Sequence, residues 1–144
     1  MATDRRADVT WQGSLMDGSG TITKTTSGAI GEQTVSWPAR SEDGASGVTS
    51  PEELIASAHA ACFAMALSHA LSQAGNTPDE LRTSSTVTFQ PGEGITKIAL
   101  TVAGSVPGMD AEAFEQAAQT AKENCPVSKA LAGVPEMTLE AKLT

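Results

Sequence analysis

An α+β fold is what the sequence predicts, on three observations. A long alanine-rich stretch near the middle carries clear helix start and stop signals. Segments rich in Thr, Val and Ile lie in groups on either side of it, and a second helical stripe is inserted before the last of them. The order is strands, long helix, hairpin, helix, strand, which is not a repeating βαβ alternation. We read residues 1–144 as a single domain, a length sufficient to bury a core.

The first strand-like segments are 8–12, 21–25 and 32–37, divided by Asp17-Gly18-Ser19-Gly20 and Ser27-Gly28; they predict an antiparallel meander. Residues 38–49 turn to Ala, Ser, Gly, Glu and Asp and read as a connecting loop, with Arg40 its one cation. Ser50 is a good N-cap, Pro51 suits the first helical position, and Glu53 completes a Ser-x-x-Glu capping box. No charge follows until Asp79, and Gly75, Asn76 and Pro78 supply the stop. Apolar residues surround this central helix, so it is expected to be buried on most sides. Stepping about 100° per residue places Ile55, Ala58, His59, Met65, Ala66 and His69 around Cys62, with Phe63, Leu67 and Leu71 pointing elsewhere.

Beyond the helix, 81–89 and 95–106 form a hairpin about Pro91-Gly92-Glu93-Gly94. Asp110 caps a second helix running to Asn124, with Ala113, Phe114, Ala117, Ala118 and Ala121 as its apolar stripe. Pro126 stops it by restricting residue 125. A helical turn over 127–131 and a final strand over 136–143 complete the chain.

Composition excludes several classes of function. A formal charge of −8 with no Lys/Arg run repels phosphate backbones and anionic lipid, so neither nucleic acid nor a membrane surface is an expected partner. The uncharged helix is mostly alanine and includes His and Ser, which favours a buried helix over a membrane span. The N-terminal segment lacks the apolar core of a signal peptide, and the default address is cytoplasmic. In that reducing compartment the two cysteines are reactive or merely buried thiols rather than a permanent staple.

Taken singly, each candidate residue has an ordinary reading. Cys62 in an Ala-rich helix reads as a packed thiol, and it becomes a nucleophile only where a cation or oriented N–H groups stabilise its thiolate. His59 reads as a hydrogen-bonded core residue, Glu52 and Glu53 as acids favouring a helix N-terminus, and Arg40 as a solvated charge. With no CxxC or HxxxH spacing, a metal site is not expected. A module binding a small apolar ligand, with idle cysteines, remains the alternative.

Together the motifs carry more. Ser50-Pro51-Glu52-Glu53-Leu54-Ile55 with Ala58-His59-Ala60-Ala61-Cys62-Phe63 resembles the central-helix signature of the osmotically inducible protein C and organic hydroperoxide resistance family. Cys125-Pro126-Val127-Ser128 resembles its second cysteine motif, and His59 is similar to the osmotically inducible branch. The resemblance implies an intertwined homodimer with thiol peroxidase sites at the interface and no cofactor. It implies Cys62 as the peroxidatic cysteine, Cys125 as the resolving one, Arg40 as the activating arginine and Glu52 as its acidic partner. The apolar surroundings favour an organic hydroperoxide over hydrogen peroxide as substrate, with Ile55, Phe63, Met65 and Met109 as candidate walls for its alkyl tail. The implied reductant is an external dithiol, a lipoyl protein being one candidate. Glu52 and Cys62 are about 15 Å apart along one helix, so Glu52 is expected to serve the neighbouring subunit's Cys62.

Overall fold

The computed structural model describes residues 1–42 and 47–144, so expectations for 43–46 lie outside the described residues. Two compact units are present, Met1–Leu54 and Ile55–Thr144.

In the first unit β1 (Ala7–Gln12), β2 (Ser19–Thr25) and β3 (Gln33–Val35) form an antiparallel sheet in the order β1-β2-β3, the expected meander. Its third strand is shorter than the sequence suggested because Ser36 leaves it to become a helix cap. The Ser36 hydroxyl accepts from the Ala39 N–H at 3.3 Å, and Pro38 sits in the first turn of a short helix, α1 (Trp37–Ser41). This corrects the reading of 38–41 as loop: the Ser-Trp-Pro sequence is an N-cap followed by a helix-compatible proline. Of the described strand residues in this unit only Gly20 and Ile22 are buried, while Val9 and Trp11 are exposed.

The long helix α2 (Pro51–Gln73) begins where expected, with the Ser50 hydroxyl accepting from the Glu53 N–H at 3.1 Å. The Glu53 carboxylate accepts from the Thr49 hydroxyl at 2.9 Å, holding the approach to the helix. It ends in a Schellman cap: Gly75 has φ +85, its N–H donates to the Ser72 carbonyl at 3.1 Å, and the Asn76 N–H donates to the Leu71 carbonyl at 2.9 Å.

In the second unit β4 (Glu80–Gln90), β5 (Gly94–Ser105) and β6 (Glu136–Leu143) form a sheet in the order β4-β5-β6. Strands β4 and β5 are the expected hairpin, whereas β5 and β6 pair in parallel. The connection between these two carries α3 (Ala111–Asn124) and α4 (Pro126–Ala130), so one βαβ crossover lies within the α+β arrangement. Asp110 caps α3 by accepting from the Ala113 N–H at 2.8 Å.

The core of this unit joins Phe63, Leu67 and Leu71 of α2 with Ile98, Leu100 and Val102 of β5 and Phe114, Ala118 and Ala121 of α3. Aromatic residues make up only 3% of the sequence, so close approach replaces bulk. Gly104 shows how close: a Cβ there would lie 2.6 Å from the Phe114 ring.

Burial of α2 is one-sided in the single chain, which narrows the expectation of burial on most sides. Phe63, Leu67 and Leu71 are at most 1% exposed, yet Ala58, Ala61, Met65 and His69 lie in the open and Met65 is 72% exposed. Both faces are apolar, which is why periodicity did not separate them.

Gly104→Ala should destabilise the protein by about 1–3 kcal/mol, because the added methyl meets a ring that the packed core cannot release. Urea unfolding of the two proteins checks this, and equal midpoints would show that the core is looser than described.

Candidate active site

Cys62 lies on the rim of the α2 face that enters the core. Phe63 is fully buried, Ala61 is exposed, and Cys62 between them is partly exposed. The helix thus delivers one sulfur to a boundary between packed interior and open surface.

Cys125 arrives by a different local device. It ends α3, its N–H donating to the Ala121 carbonyl at 2.8 Å, and it also opens α4. Pro126 forbids residue 125 a helical conformation, and Cys125 accordingly has ψ 123. This break between two helices buries the thiol completely in the same cluster against which Cys62 packs. Both thiols are free, and they stand close enough for one to act on the ionisation of the other.

The two sulfurs differ in their surroundings. Burial pushes the Cys62 thiol up, its interaction with Cys125 pushes it further, and the Val127 N–H offsets only part of this. For Cys125 burial also acts upward, but the Ser128 N–H, the Cys62 thiol, the Ser128 hydroxyl and the Val127 N–H outweigh it, and the net shift is downward. The Cys125 side chain makes no full capping hydrogen bond to α4, so these donors act as partial contacts. Within this unit alone Cys125 is therefore the more readily ionised of the two thiols.

His59 is fully buried, as its reading as a core histidine requires, and its Nε2 lies 2.7 Å from Ser128 Oγ. The ring is kept neutral by burial, which lowers its pKa. Ser128 is the residue that sequence reasoning missed as a partner. A histidine on an apolar helix face needs a polar group, and the only small hydroxyl in the Cys-Pro-Val-Ser turn supplies it.

In the first unit Arg40 and Glu52, far apart in sequence, form an ion pair: Arg40 Nε donates to Glu52 Oε1 at 2.9 Å. Glu52 is nearly buried and Arg40 about one-third exposed, so the carboxylate is a fixed anchor for a guanidinium that still reaches the surface. Their adjacency depends on α1, whose Ser36 cap starts a helical turn ahead of Arg40. Phe63 belongs wholly to the core and is not available as a wall for an incoming molecule; Met65 and Ile55 keep exposed surface. A groove of about 580 Å³ beside Met65 and His69 contains neither thiol and is not where sulfur chemistry takes place.

One partly exposed and one buried thiol, carried by a capped long helix and a Cys-Pro break in an α+β framework, meet at one core cluster of the second unit. The chain belongs to the OsmC-like protein family, whose model matches residues 43–140. It is 42% identical over 146 residues to peroxiredoxin OsmC of Escherichia coli (strain K12), a match covering 99% of each chain. It is 32% identical over 106 residues to the organic hydroperoxide resistance protein OhrB of Bacillus subtilis (strain 168), covering 73% of this chain and 77% of that one. The crystal structure of OhrB from Bacillus subtilis superposes with a TM-score of 0.61 at 27% identity, covering 96% and 98% of the two chains. An OsmC organic hydroperoxide resistance protein from Legionella pneumophila has a TM-score of 0.65 at 22% identity, covering 96% of each chain, a likeness of fold.

The depressed pKa of His59 has a sign that can be tested. The unfolded chain takes up a proton near the ordinary value of 6.5 while the folded ring resists it. Stability linked to His59 is therefore intact above about pH 6.5 and lost as pH falls from there toward the folded-state value, by at most about 1.4 kcal/mol per pH unit. Urea midpoints of the wild type and His59→Gln should converge as pH falls below 6.5; a constant difference would show that the ring charges freely in the folded protein.

Proposed function

We propose that this protein is a cysteine-based thiol peroxidase that reduces organic hydroperoxides, with Cys62 as the peroxidatic and Cys125 as the resolving cysteine. The observation that carries the reading is the juxtaposition of the two thiols, one partly open and one buried, in a chain of this family. The names of the relatives, peroxiredoxin and organic hydroperoxide resistance protein, support the substrate class.

The reaction begins with the Cys62 thiolate attacking one peroxide oxygen. The O–O bond breaks, the distal oxygen leaves with a proton as an alcohol, and Cys62 becomes a sulfenic acid. Cys125 then attacks the Cys62 sulfur, closing a disulfide and releasing the hydroxyl as water. An external dithiol returns both cysteines to thiols by exchange.

This sequence needs Cys62 ionised, whereas the groups of its own unit favour ionisation of Cys125 over Cys62. A fixed cation must intervene, and Arg40 has the chemistry to do so. Glu52 holds its Nε, which fixes the plane in which the terminal nitrogens can face a sulfur and the developing charge on the departing oxygen. One helix separates Glu52 from the Cys62 of the same chain by about 15 Å, too far for one guanidinium to touch both.

We therefore assign the Arg40–Glu52 pair to the Cys62 of a second copy. Two α2 helices crossing antiparallel near position 57 bring Glu52 of each chain opposite Cys62 of the other. The exposed Ala58 and Ala61 permit close approach there, and the open Met65 on the same helix is apolar surface that a second copy would cover. The homodimer is part of the proposal.

Reduced protein mixed with cumene hydroperoxide at one equivalent should lose two thiols rapidly and fall by the mass of two hydrogens. Cys62→Ser should show no fast reaction, and Cys125→Ser should go on to sulfinic acid at Cys62. Intact mass and free-thiol titration read all three, and a wild-type protein left unmodified would contradict the peroxidase reading.

A further inference from the structure

His59 has no place in the mechanism above, yet it is among the most completely buried side chains of the second unit. Its Nε2 meets Ser128 Oγ at 2.7 Å, and among the described residues its Nδ1 meets no hydrogen-bond partner. Because burial keeps the ring neutral, it carries one N–H. A buried N–H without a partner is rarer than an under-used acceptor, so the proton belongs on Nε2 and Nδ1 is the bare nitrogen.

The assignment determines what Ser128 does. Its oxygen accepts from the His59 ring, and its single hydroxyl proton must point elsewhere. Cys125 lies three residues earlier, across the same turn, and the Ser128 hydroxyl is one of the groups that favour its thiolate. The spacing is repeated on the two elements: α2 carries His59 and Cys62 three residues apart, and the Cys-Pro-Val-Ser turn carries Cys125 and Ser128 at the same interval. Each element supplies one sulfur and one polar group, and the two polar groups meet each other.

We infer that His59 and Ser128 are positioning residues for the resolving sulfur: His59 Nε2–H orients the Ser128 hydroxyl toward Cys125, and this partial contact tightens into a hydrogen bond as the sulfur ionises for attack on the Cys62 sulfenic acid. This rests on the peroxidase reading and adds to it the group that governs its second step. In that step the S–S bond forms as the Cys62 S–O bond breaks; hydroxide leaves and takes a proton from solvent to become water. The Cys62 sulfur is reduced and the Cys125 sulfur oxidised, with no further reagent. The Ser128 proton stays on its oxygen throughout, its hydrogen bond weakening as the negative charge leaves Cys125.

The inference is tested by the fate of the sulfenic acid under excess cumene hydroperoxide, since it either closes to disulfide or is overoxidised to sulfinic acid. Intact mass separates these products in the full-length protein. Ser128→Ala and His59→Leu should each lower the disulfide-to-sulfinate ratio about tenfold, the worth of one hydrogen bond to a charged group. The double variant should lose no more than either single one, because the two side chains act as one chain of donors. His59→Gln, which keeps an N–H donor, should recover most of the wild-type ratio. An unchanged ratio in Ser128→Ala overturns the inference, as do losses that multiply in the double variant or are not relieved by Gln. A wild-type protein that consumes no thiol fails at the earlier reading and takes the inference with it, whereas a normal wild type with an indifferent Ser128→Ala fails at the inference alone.

Discussion

Two sulfurs close enough to act on each other's ionisation are the interaction on which the proposed chemistry depends. Cys62 and Cys125 have opposite shifts: burial raises the first, while donors around the second outweigh burial and lower it. In the proposed cycle, a Cys125 that ionises more readily than Cys62 suits the second, resolving half. The first half requires the charge to move to Cys62, and a guanidinium is the group that moves it without itself gaining or losing a proton.

The rest of the framework places these charges. Helix α2 carries Cys62 at the edge of its buried face, and the Cys-Pro break between α3 and α4 brings Cys125 to meet it. At the start of the same helix Glu52 is nearly buried and holds Arg40 from α1. A buried carboxylate whose Oε2 has no partner among the described residues costs stability, and a role in orienting a cation accounts for keeping it. In the proposed dimer, the open apolar face of α2 is what the second copy's helix covers.

Much of this was legible in the sequence because local signals agreed with one another. Ser50-Pro51 and Gly75-Asn76 bounded the long helix, Pro91 to Gly94 marked the hairpin, and Asp110 opened α3. Three features were not. The α1 turn depends on Ser36 capping a segment whose composition resembles loop. The parallel pairing of β6 with β5 is a tertiary choice that no local pattern encodes. The two faces of α2 are equally apolar, so only packing reveals which carries Phe63 into the core and which leaves Met65 outside. Of the site, the cysteines and the Arg40–Glu52 pair were named from motif resemblance, while the partnership of His59 with Ser128 required coordinates, since the two are 69 residues apart.

The claim at the centre is that the Arg40 of one chain ionises the Cys62 of another. It is tested most directly by mixing two inactive variants, Cys62→Ser and Arg40→Ala, through co-refolding and assaying consumption of cumene hydroperoxide with a dithiol. Random pairing makes about half of the dimers mixed, each with one intact site, so activity should return to about a quarter of wild type. If the mixture stays as inactive as its components, Arg40 does not serve the neighbouring chain's sulfur and the account is contradicted.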